Sequence, residues 1–343
     1  NLDCRTVFRY IIGRHQALTW RPIRPVSSSP ITPPPGAPPP ARRVRQWIYR
    51  IVKVALVLLA VGLAGRQLWV NWEAVREYDW QINFGWLGLS VAAHLFTLLL
   101  FSIVWCRLIL GFGHRLKIRY SFKLAYIATF GRYIPGRIWP LLAMAYLARR
   151  LGIPEQHSLT SWGLALIFTL TAAFAVTAAG IGLVPSQVGL VFQGYLGAGV
   201  WAAGVVLALA SLALIYFPDR TLVVFNFLLR LIGRKPLRFR LRPAIAFQVP
   251  GGYAACWISY GVSFWLFLKA VMGATPVPIV SAITIFVIAY QMGYLAVFSP
   301  GGIGVRELAL IGLLHPFLGP ISAAVAVAAR LWNMVVEIIA VII

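Results

Sequence analysis

The stretch SPGGIGVRE (residues 299–307) interrupts a long apolar run with a proline, three glycines and two charged side chains. A second interruption, YIPGRI (residues 133–138), lies within an earlier apolar run. Proline removes a backbone donor and clustered glycine lowers helix propensity, so a helix cannot continue cleanly through either stretch. In hydrocarbon, each freed backbone group needs an internal partner or a water-filled cavity. These two breaks therefore indicate where the protein works.

The composition is that of a membrane protein. The 343 residues are 60% hydrophobic and 11% charged, with a mean hydropathy of +0.81, far from the balance of a soluble domain. We therefore predict an all-α, polytopic membrane helix bundle. The net charge of +23 comes from 31 Lys and Arg dispersed at the ends of apolar runs, which is typical of topology determinants and of contacts to anionic lipid. The sequence contains no nucleic-acid recognition motif, and we expect no nucleic-acid partner.

Cysteine and histidine give no indication of a metal or cofactor site. The three cysteines lie far apart and form no CxxC pair, and the five histidines lack ligand spacing. We expect no metal and no cofactor.

Residues 1–46 differ from the remainder of the chain. They are basic and include SSSPITPPPGAPPP (residues 27–40), which has too much proline and too few large apolar side chains to form a core. We predict a disordered extension here. Without a long apolar h-region it is not a signal peptide, and the membrane domain is expected over residues 47–343.

Apolar runs approach the roughly 20 residues needed to cross a bilayer. We predict about six full spans, at residues 48–69, 84–105, 158–183, 197–217, 251–272 and 321–343. Two further runs, residues 120–147 and 279–317, are broken at Pro135 and Pro300.

The bias of Lys and Arg toward the cytoplasm orients these runs. Basic clusters mark the cytoplasmic side at residues 42–53, 107–123, 149–150 and 220–242. The connectors 184–195, 273–278 and 315–320 carry no charge and are expected outside. Both ends of each broken run then lie on one side, so each run is predicted to be a re-entrant hairpin. The tip residues are Pro135, Gly136, Pro300, Gly301, Gly302 and Gly304.

The two halves follow the same order in opposite orientations. Residues 47–183 and 197–343 each read as span, span, hairpin, span, which is a 4+4 inverted-topology repeat. We expect a multi-pass protein of the cell membrane with both termini cytoplasmic. The alternative is that each broken run is a kinked full span, which is common in membranes, but it would place residues 149–150 outside.

Six charged side chains fall within the predicted membrane depth: Arg132, Arg137, Arg306, Glu307, Arg330 and Glu337. An Arg or Asp at a helix centre costs about 2.5–3.5 kcal/mol, so such groups must be paired or face water. Arg330, Asn333 and Glu337 share one face of the last helix at i, i+3 and i+7, which should point into the bundle.

Two interpretations of these charges remain open and can coexist. In the first, they form an internal ion-pair network that holds the hairpins. In the second, they form a substrate-binding site for an anionic group, with Arg137 and Arg306 holding the headgroup and Glu307 and Glu337 positioning the arginines. Half-helix N-termini beyond each break would add backbone N–H donors.

At these motifs the chain resembles a known family. YIPGRIW, ARRLG and SPGGIGVRELAL with a later Arg330 are similar to the lysylphosphatidylglycerol synthase transmembrane region, a flippase-like domain also found as stand-alone proteins. The resemblance picks out Pro135, Gly136, Arg137, Pro300, Gly301, Gly302, Gly304, Glu307 and Arg330. Many members carry Gly-Glu soon after the first PGR, where this chain has Ile138-Trp139-Pro140, so their headgroup is not carried over to this chain.

The resemblance implies a flippase-like translocase that moves an anionic phospholipid or lipid-linked molecule between leaflets. Its expected partners are that substrate, membrane lipids, and a membrane-associated synthase or glycosyltransferase. We expect no enzyme activity, because the aminoacyl transferase domain of two-part members would follow the last span and no catalytic motif occurs here. The alternatives are a non-transporting subunit that docks a lipid-modifying enzyme or glycosyltransferase, and an enzyme built on Glu307 with Arg137 or Arg330.

Overall fold

Helices make up almost all of the described chain, which comprises residues 62–63, 65–129, 139–183, 206, 209, 243–296 and 299–343 of a computed structural model. Within those ranges there is no strand, and the all-α prediction is confirmed. The nine α-helices in these ranges are α1 Trp72–Glu77, α2 Phe84–Gly111, α3 Ile118–Thr129, α4 Trp139–Arg150, α5 Glu155–Leu183, α6 Pro243–Met272, α7 Ile279–Leu295, α8 Val305–Leu318 and α9 Ser322–Ile342.

Four apolar helical stretches in the described residues are long enough to cross a membrane. They are Phe84–Gly111, Glu155–Leu183, Gln248–Met272 and Val305–Ile342. The last contains α8 and α9, which are separated by the 3-10 turn Gly319–Ile321. The predicted extension 1–46 and most of the predicted spans 48–69 and 197–217 lie outside the described residues, so the number of spans stays a prediction.

Helices α2 and α6 run antiparallel along their whole length. As residue numbers rise along α2, their partners on α6 fall. The pairs are Asn83 N–H donating to the Ala270 carbonyl (2.8 Å), Thr97 Oγ1 with Ser259 Oγ (2.7 Å), and Val104 against Gly252. A methyl group on Gly252 would lie 2.7 Å from Val104 Cγ2, so glycine permits this close approach.

Helix α7 lies at the centre of the described bundle. It contacts α5, α6 and α8, and most of its side chains are buried on all sides. Helix α9 differs, because Leu331, Val335 and Ile338 are exposed on one face while the other face is buried. This pattern suits a peripheral helix whose apolar face meets lipid.

The broken runs appear as helix pairs. Helices α3 and α4 flank the first break and contact each other, as do α7 and α8 around the second. Helix α8 begins 166 residues after α4 (305 − 139), and α9 begins 167 residues after α5 (322 − 155). This near-constant offset is what the 4+4 repeat predicts, but the repeat and the re-entrance of the hairpins stay predictions.

Candidate functional site at the second helix break

The backbone of the second break requires glycine at three positions. Helix α7 ends at Leu295, a 3-10 turn covers Pro300–Gly302, and α8 begins at Val305. Gly301, Gly302 and Gly304 have φ values of 63°, 71° and 84°, in the left-handed region that side chains with a Cβ rarely adopt. The Ser299 hydroxyl donates to the Ile303 carbonyl at 2.7 Å and closes the turn. The glycines of SPGGIG therefore form the left-handed turn that leads into α8.

After the break, the chain lies directly against the end of α7. A methyl group on Gly302 would place its carbon 2.9 Å from Gly293 Cα and 3.2 Å from the Gly293 carbonyl oxygen. One on Gly293 would lie 3.4 Å from Arg306 Cβ. Because Gly293 and Gly302 lack side chains, the backbone of the break packs directly against the backbone of α7. This contact fixes where the first turn of α8 presents its charged side chains.

The Glu307 side chain contacts both the break and helix α9. Its Oε2 accepts a hydrogen bond from the Gly304 N–H at 2.5 Å, which satisfies a donor at the N-terminus of α8. Its Oε1 lies 3.3 Å from Arg330 Nη1; this contact is an ion pair without hydrogen-bond alignment. Arg330 Nη1 also donates to the Gly301 carbonyl at 3.4 Å. Arg330 is therefore a cross-link between α9 and the break.

Arg306 has a different environment from Arg330. It is 4% exposed, and its Cζ lies 3.4 Å from the centroid of the Tyr290 ring and 5.3 Å from that of Phe286. Its Nε and Nη2 make no hydrogen bond, and no ion pair joins it to a carboxylate of the described residues. Aromatic rings hold this cation by cation–π contact. Two of its buried donor nitrogens thus have no partner among the described residues.

A hydrogen-bonded network connects the ring beneath Arg306 to α9. Asn333 Nδ2 donates to Glu337 Oε1 at 2.8 Å, and Asn333 Oδ1 accepts from the Tyr290 hydroxyl at 2.6 Å. The Tyr260 hydroxyl also contacts Asn333 Oδ1 and the Tyr290 hydroxyl. Asn333 is 1% and Glu337 6% exposed. The structure confirms that this face of α9 points into the bundle.

Four of the six predicted site residues are therefore linked by contacts. Arg330 pairs with Glu307, the neighbour of Arg306, and Arg306 reaches Glu337 through Tyr290 and Asn333. The other two, Arg132 and Arg137, lie outside the described residues with the tip residues Pro135 and Gly136. Their place in the site stays a prediction.

Sequence reasoning missed the aromatic side of this site. Tyr260 and Tyr290 come from α6 and α7, and the His94 ring of α2 packs at a tilt against Tyr260 and Trp332, with ring centroids 4.7 Å and 4.6 Å apart. No spacing marks these side chains, since aromatic residues are frequent throughout the chain. Their polarity inside apolar helices is the one signal available, because buried polar groups in membranes need partners.

No metal centre is present in the described part of the chain, which has no group of three or more His, Cys, Asp or Glu side chains able to hold an ion. The expectation that the protein needs no cofactor stays a prediction.

Comparison with known families decides the relationship. A family model described as the lysylphosphatidylglycerol synthase TM region matches residues 50–343. The chain belongs to this family. The match covers both helix breaks and confirms the resemblance that the Pro-Gly motifs indicate. No curated protein and no solved structure matches the chain significantly. The protein is thus a membrane domain of the lysylphosphatidylglycerol synthase TM region family.

Proposed function

We propose that this protein is a flippase-like translocase that moves an anionic phospholipid or lipid-linked molecule between leaflets of the cell membrane. The substrate headgroup binds at the second helix break. The observation that carries this proposal is Arg306, a buried guanidinium with unused donors at the start of α8. A cation at this depth is costly unless it has a function or a partner.

The chemistry of the break suits a phosphate. The N-terminal end of α8 carries the positive end of its helix dipole, and Arg306 adds a full charge on the first turn. A guanidinium presents fork-shaped donors that match phosphate oxygens. Tyr290 covers one face of the guanidinium, which leaves the donors at its edge to meet the ligand.

The other charges have supporting roles in this proposal. Glu307 forms an ion pair with Arg330. Glu337 and Tyr290 are both hydrogen-bonded to Asn333. The Tyr290 ring in turn contacts the Arg306 guanidinium. All six predicted charges belong to the proposed site, with Arg132 and Arg137 contributed by the first hairpin. In that arrangement four arginines face two glutamates, and the excess positive charge favours an anion.

The helix arrangement supports a transporter architecture. The antiparallel pair α2–α6 and the similar offsets from α4 to α8 and from α5 to α9 agree with an inverted repeat. In such repeats the substrate site lies near the midplane, where broken helices meet. Both termini are cytoplasmic in this proposal, and the glycines at the tips allow the hairpins to move.

Transport can be tested in liposomes. Purified protein is reconstituted with fluorescent phosphatidylglycerol or phosphatidylcholine, and the probe remaining in the outer leaflet is measured with a membrane-impermeant quencher. We expect translocation of the anionic probe, and a reduction of at least about tenfold for Arg306→Gln, because a hydrogen bond to a charged group contributes about 1.5–3 kcal/mol. Arg306→Lys should retain part of the rate and Arg137→Ala should lose most of it.

The matched control is Arg115→Gln, which removes an exposed arginine from the predicted cytoplasmic end and should leave the rate unchanged. Folding of each variant is checked by its melting temperature. Absent translocation would contradict the proposal and favour the non-transporting subunit that docks an enzyme. A new product formed from lipid alone would favour an enzyme.

A further inference from the structure

A lysine at the opposite end of α2 from the basic cluster 107–123 lies between two tryptophans. Lys269 is in the last turn of α6, and its Nζ lies 4.4 Å from the centroid of the Trp265 ring and 4.9 Å from that of Trp86. Trp86 belongs to the first turn of α2. The ammonium thus joins two helices through cation–π contacts. We call these three side chains the Lys269 site.

The Trp265 ring of the Lys269 site is fixed by a hydrogen bond, and Trp86 is held through its backbone. Trp265 Nε1 donates to the Val277 carbonyl at 3.2 Å, and the Trp86 backbone N–H donates to Asn83 Oδ1 at 3.1 Å. Asn83 itself is tied to α6 by the hydrogen bond to the Ala270 carbonyl. The two rings therefore hold the lysine in one place instead of letting it sample the surface.

The charge of Lys269 is not neutralised within the described residues. The acidic side chains Glu77 and Asp79 precede Asn83 in the chain, yet neither forms an ion pair with Lys269. The connector that follows, residues 273–278, carries no charge. Cation–π contacts use the ring faces and leave the ammonium N–H donors to other partners.

The position of this lysine is unusual for the predicted topology. Residues 243–343 contain three cations, Lys269, Arg306 and Arg330, and the latter two belong to the second break. The charge pattern places the C-terminal end of α6 outside, where Lys and Arg are disfavoured. Exposed apolar side chains, Ile82 at 56% and Phe84 at 79%, lie beside Asn83 and suit the boundary between headgroups and acyl chains.

We propose that the Lys269 site binds the phosphodiester of an anionic lipid headgroup in the outer leaflet. The lysine supplies the charge, and the tryptophans place it at headgroup depth. A lipid is favoured over free phosphate because the flanking side chains are apolar and exposed. The site lies apart from the second break, and it stands whether or not the protein moves lipid.

Native mass spectrometry of the full chain tests this site. The protein in mild detergent is titrated with phosphatidylglycerol, phosphatidylcholine or inorganic phosphate. Lys269→Gln should weaken the tightest phosphatidylglycerol binding about fivefold, the effect expected of one lysine near anionic headgroups. Lys269→Arg should keep it. The control Lys123→Gln removes an exposed lysine of α3 and should also keep that binding event.

Two results would overturn the proposal. Equal phosphatidylglycerol binding by wild type and Lys269→Gln, with unchanged melting temperatures, would make Lys269 an interfacial anchor only. Displacement of the lipid by millimolar inorganic phosphate would assign the site to free phosphate. Because the readout is bound lipid, the result is independent of the translocation assay with Arg306→Gln.

Discussion

The α2–α6 pair and the second helix break both depend on glycine, but for opposite purposes. Gly252 lets helices α2 and α6 approach closely, whereas Gly301, Gly302 and Gly304 give the backbone the left-handed turn that leads into α8. The α2–α6 contact is largely apolar, with one hydroxyl pair between Thr97 and Ser259. The break instead gathers buried charge. The α2–α6 pair is a structural frame, and the break is the region where we propose that the anion binds.

The largest expected effect is at the break, from Gly302→Ala. The alanine would be strained by its left-handed φ and its methyl carbon would lie 2.9 Å from Gly293 Cα. Left-handed backbone costs about 1–2 kcal/mol and overpacking about 1–3 kcal/mol, so the free energy of unfolding should fall by up to about 5 kcal/mol. The free energy of unfolding is measured by denaturant titration in detergent, monitored by circular dichroism.

The matched control is Gly113→Ala, since Gly113 also has a left-handed φ but nothing lies within 4 Å of the added carbon. The free energy of unfolding of Gly113→Ala should fall only by the strain of the left-handed backbone, about 1–2 kcal/mol. Equal losses in the two variants would show that close contact with α7 is unimportant at the break.

The next largest loss of stability should come from breaking the ion pair between Glu307 and Arg330. Glu307→Gln leaves Arg330 without its carboxylate, and removing one partner of a buried pair costs about 3–5 kcal/mol. We expect the lower end, about 3 kcal/mol, because the two side chains retain 10% and 13% exposure. Adding Arg330→Gln should recover part of the loss in a double-variant cycle. Strictly additive losses would mean that the two charges do not interact.

Substitutions in the α2–α6 frame should lower the free energy of unfolding less than substitutions at the break. Gly252→Ala brings a methyl carbon 2.7 Å from Val104 Cγ2, and the loss should be about 1–3 kcal/mol. The second change Val104→Ala should restore much of it by making room. The neighbouring Gly251→Ala meets nothing within 4 Å, and as a helix-interior replacement it should stabilise by up to about 1 kcal/mol. A loss at Gly251 as large as that at Gly252 would contradict the α2–α6 contact.

The smallest effect should come from the hydroxyl pair of the frame. Ser259→Ala removes the 2.7 Å hydrogen bond to Thr97, and interhelical hydrogen bonds in membrane proteins contribute about 0.6 kcal/mol on average. Unfolding in the same detergent should show a change of about that size. A loss comparable to that of Glu307→Gln would mean that polar contacts, and not packing, hold the frame.

The helix break and the inward face of α9 can be predicted from sequence, whereas the pairing of α2 with α6 cannot. The break at Pro300 is readable because proline and clustered glycine have local effects on the backbone. The inward face of Arg330, Asn333 and Glu337 follows from helical periodicity. The antiparallel pairing of α2 with α6 is a tertiary contact between uniformly apolar helices, and no local pattern specifies it.

The contacts of the two arginines are also hidden in the sequence. The sequence suggests a headgroup role for Arg306, but only the structure shows that Arg306 lies over Tyr290 and that Arg330 lies beside Glu307 and Gly301. The position of the first turn of α8 depends on the close contact between Gly302 and Gly293. Tyr260 and Tyr290 are missed for the same reason, because their meeting is set by packing between helices.

We propose that Arg306 binds the substrate anion whereas Arg330 holds the structure. The most direct test is the initial rate of anionic-lipid translocation by Arg306→Gln in liposomes, measured on protein whose melting temperature matches that of wild type. We predict a rate at least about tenfold lower, with partial recovery in Arg306→Lys. A wild-type rate in Arg306→Gln would show that Arg306 does not bind the substrate.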